Sequence, residues 1–233
     1  KIRNKMPKRL DQHQIKRLGQ EAAKFHKACH TVRGTLPPSA KSMNVDIDGL
    51  LEILDTEEGQ FHFHQYSDLI RKHCNIFKDN YIALDADSMD IIPVFVDWNI
   101  GNFSVTESFR FFSRWDYDWF RMSSRIMDFY FFSRVVSDVG DRTIFTYNID
   151  ILMEERFILF LKSYHEIFPL TKREILLLRE TYRFFLLTYV VKYGRYFFHE
   201  VFASKLQKEV FDIHLPSIEK KFNPEPLLKA LNL

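Results

Sequence analysis

Six apolar residues in a row, Ile91-Ile92-Pro93-Val94-Phe95-Val96, stop abruptly at Asp97, while on both sides of this stretch the apolar residues recur every three or four positions. A run of that length bounded by a charge reads as a buried strand that delivers a carboxylate at its tip. The flanking spacing reads as amphipathic helix, since a helix repeats about every 3.6 residues and a strand every two. The expected fold class is therefore α+β and mostly helical, with one small β element near the middle.

Upstream, Ile15, Leu18, Ala22, Phe25 and Cys29 mark one helix face, closed by Gly34 and Pro37-Pro38. A short helix is expected over 45–54, ended by Asp55-Thr56-Glu57-Glu58-Gly59. A longer one is expected over 61–84, with Leu69, Ile70, His73, Phe77 and Tyr81 on one side. Downstream, 102–106 and 109–116 flank a polar turn at Glu107-Ser108, which predicts a hairpin. After Asp118 helical spacing returns through Ile126, Phe129, Tyr130 and Ser133, then Leu152 to Tyr164, then Ile175 to Tyr189, then 197–211. Asn223-Pro224-Glu225-Pro226 marks a loose tail. No internal repeat is visible. One unit is expected, with a core at 15–134, a helical part at 135–222 and a tail at 223–233.

Seven glycines, no two closer than ten positions, exclude a phosphate-cradling glycine loop within this chain. Twenty-four phenylalanines and a 46% hydrophobic share supply a large core and exclude global disorder. A formal net charge of +2 gives no reason to expect nucleic acid, and the basic start (Lys1, Arg3, Lys5, Lys8, Arg9) reads as a solvated lead-in. Cys29 and Cys74 cannot build a disulfide framework; reduced core thiols in a cytoplasmic protein are expected. The apolar stretch 184–191 is too short to span a membrane, and no signal peptide is visible.

The residues that can carry chemistry cluster in the β element. Asp97 and Asn102 form D-x-x-x-x-N after the strand, Asp116 follows nineteen residues after Asp97 with Asp118 beside it, and Asp128 lies twelve beyond Asp116. Phosphoryl transfer needs such a set: one carboxylate to orient and deprotonate a hydroxyl, and further oxygens to hold magnesium against polyphosphate. The bland alternative makes Asp97 and Asn102 turn residues and Asp116 and Asp118 a solvated strand end. Trp98 and Trp119 are candidates to stack on a substrate. Tyr182, Phe185, Tyr189, Tyr196 and Phe197 could line a pocket, although their helical spacing suits core packing. His62 and His64, or His26 and His30, could ligate a metal but lack a third partner. No nucleophile elbow G-x-S-x-G exists.

Taken together, Asp97, Gly101, Asn102, Asp116 and Asp118 resemble the catalytic core of the aminoglycoside phosphotransferase and choline kinase group, a small-molecule branch of the protein-kinase-like fold. The segment Leu18-Gly19-Gln20-Glu21-Ala22-Ala23-Lys24-Phe25-His26 is similar to the helix that opens the large lobe of these enzymes. The resemblance covers about 15–134. It implies a kinase-like C-terminal lobe with a catalytic-loop hairpin, and an N-terminal β lobe absent from this chain, which begins where that lobe would end. It also implies ATP and Mg2+ as cofactors and a small-molecule hydroxyl as acceptor. Asp97 is implied as the catalytic base, Asn102, Asp116 and Asp118 as metal-binding, and Asp128 as a structural brace of the loop. Departures are plain: Phe95 stands where the group has a His, Val96 where it has a Gly, and Asn99 and Ile100 replace a His and a Pro. Phe95 could fill the slot of the supporting His. A catalytically degenerate binding or scaffold module, and a helical interaction protein with an incidental acidic set, are the alternatives.

Overall fold

Asp11 starts the first helix. Its carboxylate accepts the Gln14 N–H at 2.8 Å, and the Gln14 side-chain oxygen accepts the Asp11 N–H at 3.0 Å, so two otherwise orphaned donors are satisfied reciprocally. The computed structural model describes residues 6–37, 42–138 and 147–233; residues 1–5 of the basic start and Pro38 lie outside them. The helices are α1 (Gln12–Val32), α2 (Met43–Leu54), α3 (Glu57–Phe63), α4 (Ser67–Ala83), α5 (Phe129–Val136), α6 (Glu155–His165), α7 (Lys172–Phe185), α8 (Gly194–Phe197), α9 (Glu200–Glu209), α10 (Leu215–Lys221) and α11 (Glu225–Leu231). The strands are β1 (Ile91–Val94), β2 (Phe103–Val105), β3 (Phe111–Arg114) and β4 (Arg121–Ser124). They form two antiparallel pairs, β1 with β4 and β2 with β3, so the β2–β3 hairpin is inserted between the partners of the other pair. The fold is α+β and mostly helical.

α1 buries Ile15, Leu18, Ala22 and Cys29 as its spacing predicts, and it packs closely along α6. Gly19 permits this approach, because a Cβ there would stand 2.5 Å from the Phe160 carbonyl oxygen. Both cysteines are free and buried, and burial pushes their thiols up, to about 11 for Cys29 and about 12 for Cys74. Among the described residues no helix is long and apolar enough to cross a membrane.

The structure departs from the expected elements in three places. The polar stretch after Asp118 forms β4 and not helix: Arg121, Ser123 and Ser124 are buried although polar, so the alternation that marks a strand is masked. The expected helix over 61–84 is two helices, because Thr56 caps a new start by accepting the Gly59 N–H at 3.0 Å, and a 3₁₀ turn at His64–Tyr66 ends α3. The acidic residues read as a stop are the first turn of the next helix. The tail is not loose: Pro226 sits in the first turn of α11, where a missing N–H costs nothing, and Leu227, Leu228 and Leu231 are buried.

Under this surface lies a buried charge network. Arg183 Nε donates to Glu180 Oε2 at 2.8 Å and Nη1 donates to His73 Nδ1 at 2.5 Å, with Glu219 on the other terminal nitrogen. Burial, reinforced by Arg183, lowers the His73 pKa to about 4; burial, with Lys221 adding to it, lowers His214 to about 4. Both rings therefore stay neutral in the folded chain while the unfolded chain takes up protons below about pH 6.5. Stability from these histidines is present above that pH and is lost as pH falls toward 4. Thermal unfolding should show the midpoint falling by about 5 °C between pH 7 and pH 5. A flat midpoint over that window would contradict the assignment.

Candidate active site

β1 ends at Val94, and the chain then turns sharply. Val96 is buried and β-branched, yet has a φ of 62°, a left-handed conformation that such residues rarely adopt. The Asp97 N–H donates to the Phe95 carbonyl at 2.6 Å, closing a three-residue turn around Val96. One carboxylate holds that turn. Asp128 Oδ1 accepts the N–H of Phe95 at 3.0 Å and of Val96 at 2.6 Å. Its Oδ2 accepts the His26 Nε2–H at 2.9 Å, and His26 Nδ1 accepts the Tyr164 hydroxyl at 2.8 Å. Burial pushes the Tyr164 pKa up, which keeps the proton it donates. Asp128, His26 and Tyr164 are all fully buried, so α1, α6 and the turn before α5 meet behind the loop at a dry, fully paired chain of groups.

Asp97 stands at the front of this support and is partly exposed. Asn102 Nδ2 donates to Asp97 Oδ2 at 2.9 Å and more weakly to the Asp97 carbonyl at 3.3 Å. Asn99 Nδ2 donates to the other carboxylate oxygen. The Asn102 side-chain oxygen is thereby turned away from Asp97, since the same amide group presents its nitrogen to it. The hairpin register then brings Asp116 in: Phe103 faces Arg114, and the Trp115 N–H donates to the Asn102 carbonyl at 3.0 Å. Asp116 is exposed and has a φ of 64°. Left-handed geometry at Val96 and Asp116 costs about 1–3 kcal/mol each and falls on the two loops that bear Asp97 and Asp116.

Arg114 links the two segments. It donates to carbonyls on either side of the gap and lies over the rings of Phe95, Trp98 and Tyr117. Burial pulls its pKa below the ordinary arginine value, and Asp128, Asp97 and Asp116 oppose that pull. Beside it opens a cavity of about 320 Å³ lined by Phe25, Phe95, Trp98, Phe111 and Tyr117.

Asn102 thus meets Asp97, the loop that carries Asp116 is held alongside through the Trp115 N–H and the Arg114 guanidinium, and Asp128 lies behind the Asp97 turn. Asp118 is exposed beyond them, in the turn after Tyr117. Phe95 packs its ring against Phe25, Trp98, Tyr117 and Phe120. Trp98 is 1% exposed and stacked on Phe132 and Phe111, with centroids 4.7 and 5.1 Å away, so its ring packs in the core at the wall of this cavity. Trp119 is half-buried and stacks on Tyr189 at 4.3 Å, with Phe197 at its edge. Tyr182 and Phe185 are core residues, while Tyr196 is exposed. Among the described residues neither histidine pair joins a group that could hold a metal: His62 meets Arg195, and His26 is spent on Asp128.

Oxygen donors such as Asn102 and Asp116 suit a hard cation. Magnesium in particular uses one or two carboxylates, substrate phosphates and several waters, so it needs no protein cage. Among the described residues no group of three or more His, Cys, Asp or Glu could hold a metal by itself.

No family model matches this chain, and no curated protein matches it. Its structure is similar to two crystal structures of spectinomycin phosphotransferase APH(9)-Ia. One is an AMP-bound complex, at 16% identity and a TM-score of 0.57 over 94% of this chain and 69% of that one. The other is a complex with ADP and spectinomycin, at 16% identity and a TM-score of 0.58 over 96% and 68%. The arrangement of helices around a strand-borne carboxylate and an inserted hairpin thus shares the α+β, protein-kinase-like fold of spectinomycin phosphotransferase APH(9)-Ia.

Proposed function

We propose that the protein is an ATP- and magnesium-dependent phosphotransferase that phosphorylates a hydroxyl of a small molecule. The observation that supports this reading is the pairing of Asn102 with Asp97, with the loop that carries Asp116 tied to Asn102 by the Trp115 N–H across the base of the hairpin. Fold likeness alone would leave the chemistry open.

In this reading Asp97 accepts a hydrogen bond from the acceptor's O–H and takes its proton as the oxygen bonds to the γ-phosphorus of ATP. The bond from that phosphorus to the β–γ bridging oxygen breaks, and ADP leaves with the electron pair. Asn102 both aligns the Asp97 carboxylate through Nδ2 and would offer its remaining oxygen, with Asp116 and Asp118, to magnesium. Bound magnesium offsets phosphate charge. Asp128, through the N–H groups of Phe95 and Val96, fixes where Asp97 points. Trp119, half-buried and stacked on Tyr189, is the candidate to stack on the acceptor. Incubation with ATP, Mg2+ and a panel of hydroxylated small molecules that includes aminocyclitols, followed by mass spectrometry, should reveal an acceptor that gains one phosphoryl group. Failure of the whole panel, together with no ATP consumption, would overturn the assignment.

One observation favours a second reading, a binding module without catalysis. Both carboxylate oxygens of Asp97 are engaged by amides, from Asn99 and Asn102, which weakens a base. Such a module would bind nucleotide or another ligand and consume no ATP.

A further inference from the structure

Arg114 ends β3, between the loop that carries Asp97 and the loop that carries Asp116. Its Nη2 donates to the carbonyls of Phe95 at 3.3 Å and Asp97 at 3.1 Å. Its Nη1 donates to the carbonyls of Asp116 at 2.8 Å and Trp115 at 3.5 Å. One planar group therefore spans four backbone oxygens, two on each loop. The 2.8 and 3.1 Å contacts are the strong ones, and they fall on the two residues that bear the candidate carboxylates. Ring faces of Phe95 at 4.4 Å, Trp98 at 5.0 Å and Tyr117 at 5.2 Å hold the guanidinium plane in place.

Both loops that it joins are conformationally loaded. The Phe95 carbonyl that it contacts is the one already closing the turn around left-handed Val96, and the Asp116 carbonyl belongs to a left-handed residue. Segments held in such conformations persist only where their surroundings over-determine them. Asp128 does this for the first loop from behind; Arg114 is the group that reaches both.

We propose that Arg114 is a positioning residue that fixes the separation of Asp97 and Asp116 by bridging their main-chain carbonyls. Its role in turnover rests on the phosphotransferase reading, whereas the bridge itself does not. Only a planar fork with donors on two terminal nitrogens can do this, so an ammonium group in its place could satisfy one loop and not both.

The test compares wild type, Arg114→Leu and Arg114→Lys. Hydrogen exchange followed by mass spectrometry should show segments 95–99 and 115–118 both exchanging at least about ten-fold faster in Arg114→Leu, with α6 and α7 unchanged. Unchanged exchange in either segment, or acceleration throughout the molecule in both variants, overturns the bridge. All three tryptophans of the chain, Trp98, Trp115 and Trp119, flank these loops, so their fluorescence reports Mn2+ binding, titrated in the presence of saturating ADP, without any activity assay. The Mn2+ midpoint should rise about ten-fold in Arg114→Leu and be partly restored in Arg114→Lys; equal midpoints in wild type and Arg114→Leu overturn the positioning role. If wild type itself gives no Mn2+ response, the phosphotransferase reading falls, and the exchange comparison still decides the bridge.

Discussion

Replacing Asp97 with alanine is expected to abolish phosphoryl transfer, with kcat falling on the order of a thousand-fold or more. The fold should barely notice. Asp97 is partly exposed, and the amides of Asn99 and Asn102 that it releases can turn to water. The thermal midpoint should stay within about 3 °C of wild type. Asp97→Asn should be as inactive as Asp97→Ala, because it keeps the shape and removes the basic oxygen. Steady-state ATP consumption in the presence of acceptor, measured beside thermal unfolding, separates loss of chemistry from loss of fold. Turnover that survives in Asp97→Ala would show that another group takes the proton.

The largest effect on stability is expected one layer behind. Asp128→Ala leaves the N–H groups of Phe95 and Val96 and the His26 ring N–H without an acceptor in a dry interior. Stranding these donors should cost about 3–5 kcal/mol. It also frees the turn around Val96, so activity should fall even at temperatures where the chain remains folded. Asp128→Asn should cost less, since its side-chain oxygen can still accept from the loop. Its amide nitrogen, however, would face the His26 N–H, and if that ring switches tautomer its Nδ1–H donates to the Tyr164 oxygen and the hydroxyl proton loses its acceptor. Denaturant titration of the two variants checks the order: Ala worse than Asn, and Asn worse than wild type. Equal stability of all three would mean that water replaces the carboxylate, and the bracing role would be lost.

Much of this site was legible in the sequence because its residues sit at fixed spacings on elements with clear periods. The apolar run ending at Asp97, the turn at Glu107-Ser108 and the helix face of α1 each follow from side-chain polarity alone. Asn102 meets Asp97 because five residues of tight turn leave it little choice. Other features carry no such signal. β4 is hidden because Arg121, buried against Asp46 through a 2.6 Å ion pair, is polar where a strand pattern asks for an apolar residue. Trp98 looks like a surface residue from its polar neighbours, yet Phe25 from α1 and Phe132 from α5 close over it from distant positions. Arg114 has no motif to betray it, since its partners are backbone carbonyls that every residue type supplies. The three-part contact of Tyr164, His26 and Asp128 spans 138 positions of sequence and exists only after folding.

In the proposed function Asn102 and Asp116 hold magnesium against the phosphates of a nucleotide while Asp97 faces the acceptor. Calorimetric titration of ATP into wild type, Asn102→Ala and Asp116→Ala, with and without Mg2+, addresses it most directly. The expected result is that wild type binds ATP at least about ten-fold more tightly with Mg2+ than without, and that Asp116→Ala removes this difference while Asn102→Ala reduces it. Binding that is indifferent to Mg2+ in wild type, or a magnesium dependence that persists in Asp116→Ala, would contradict it.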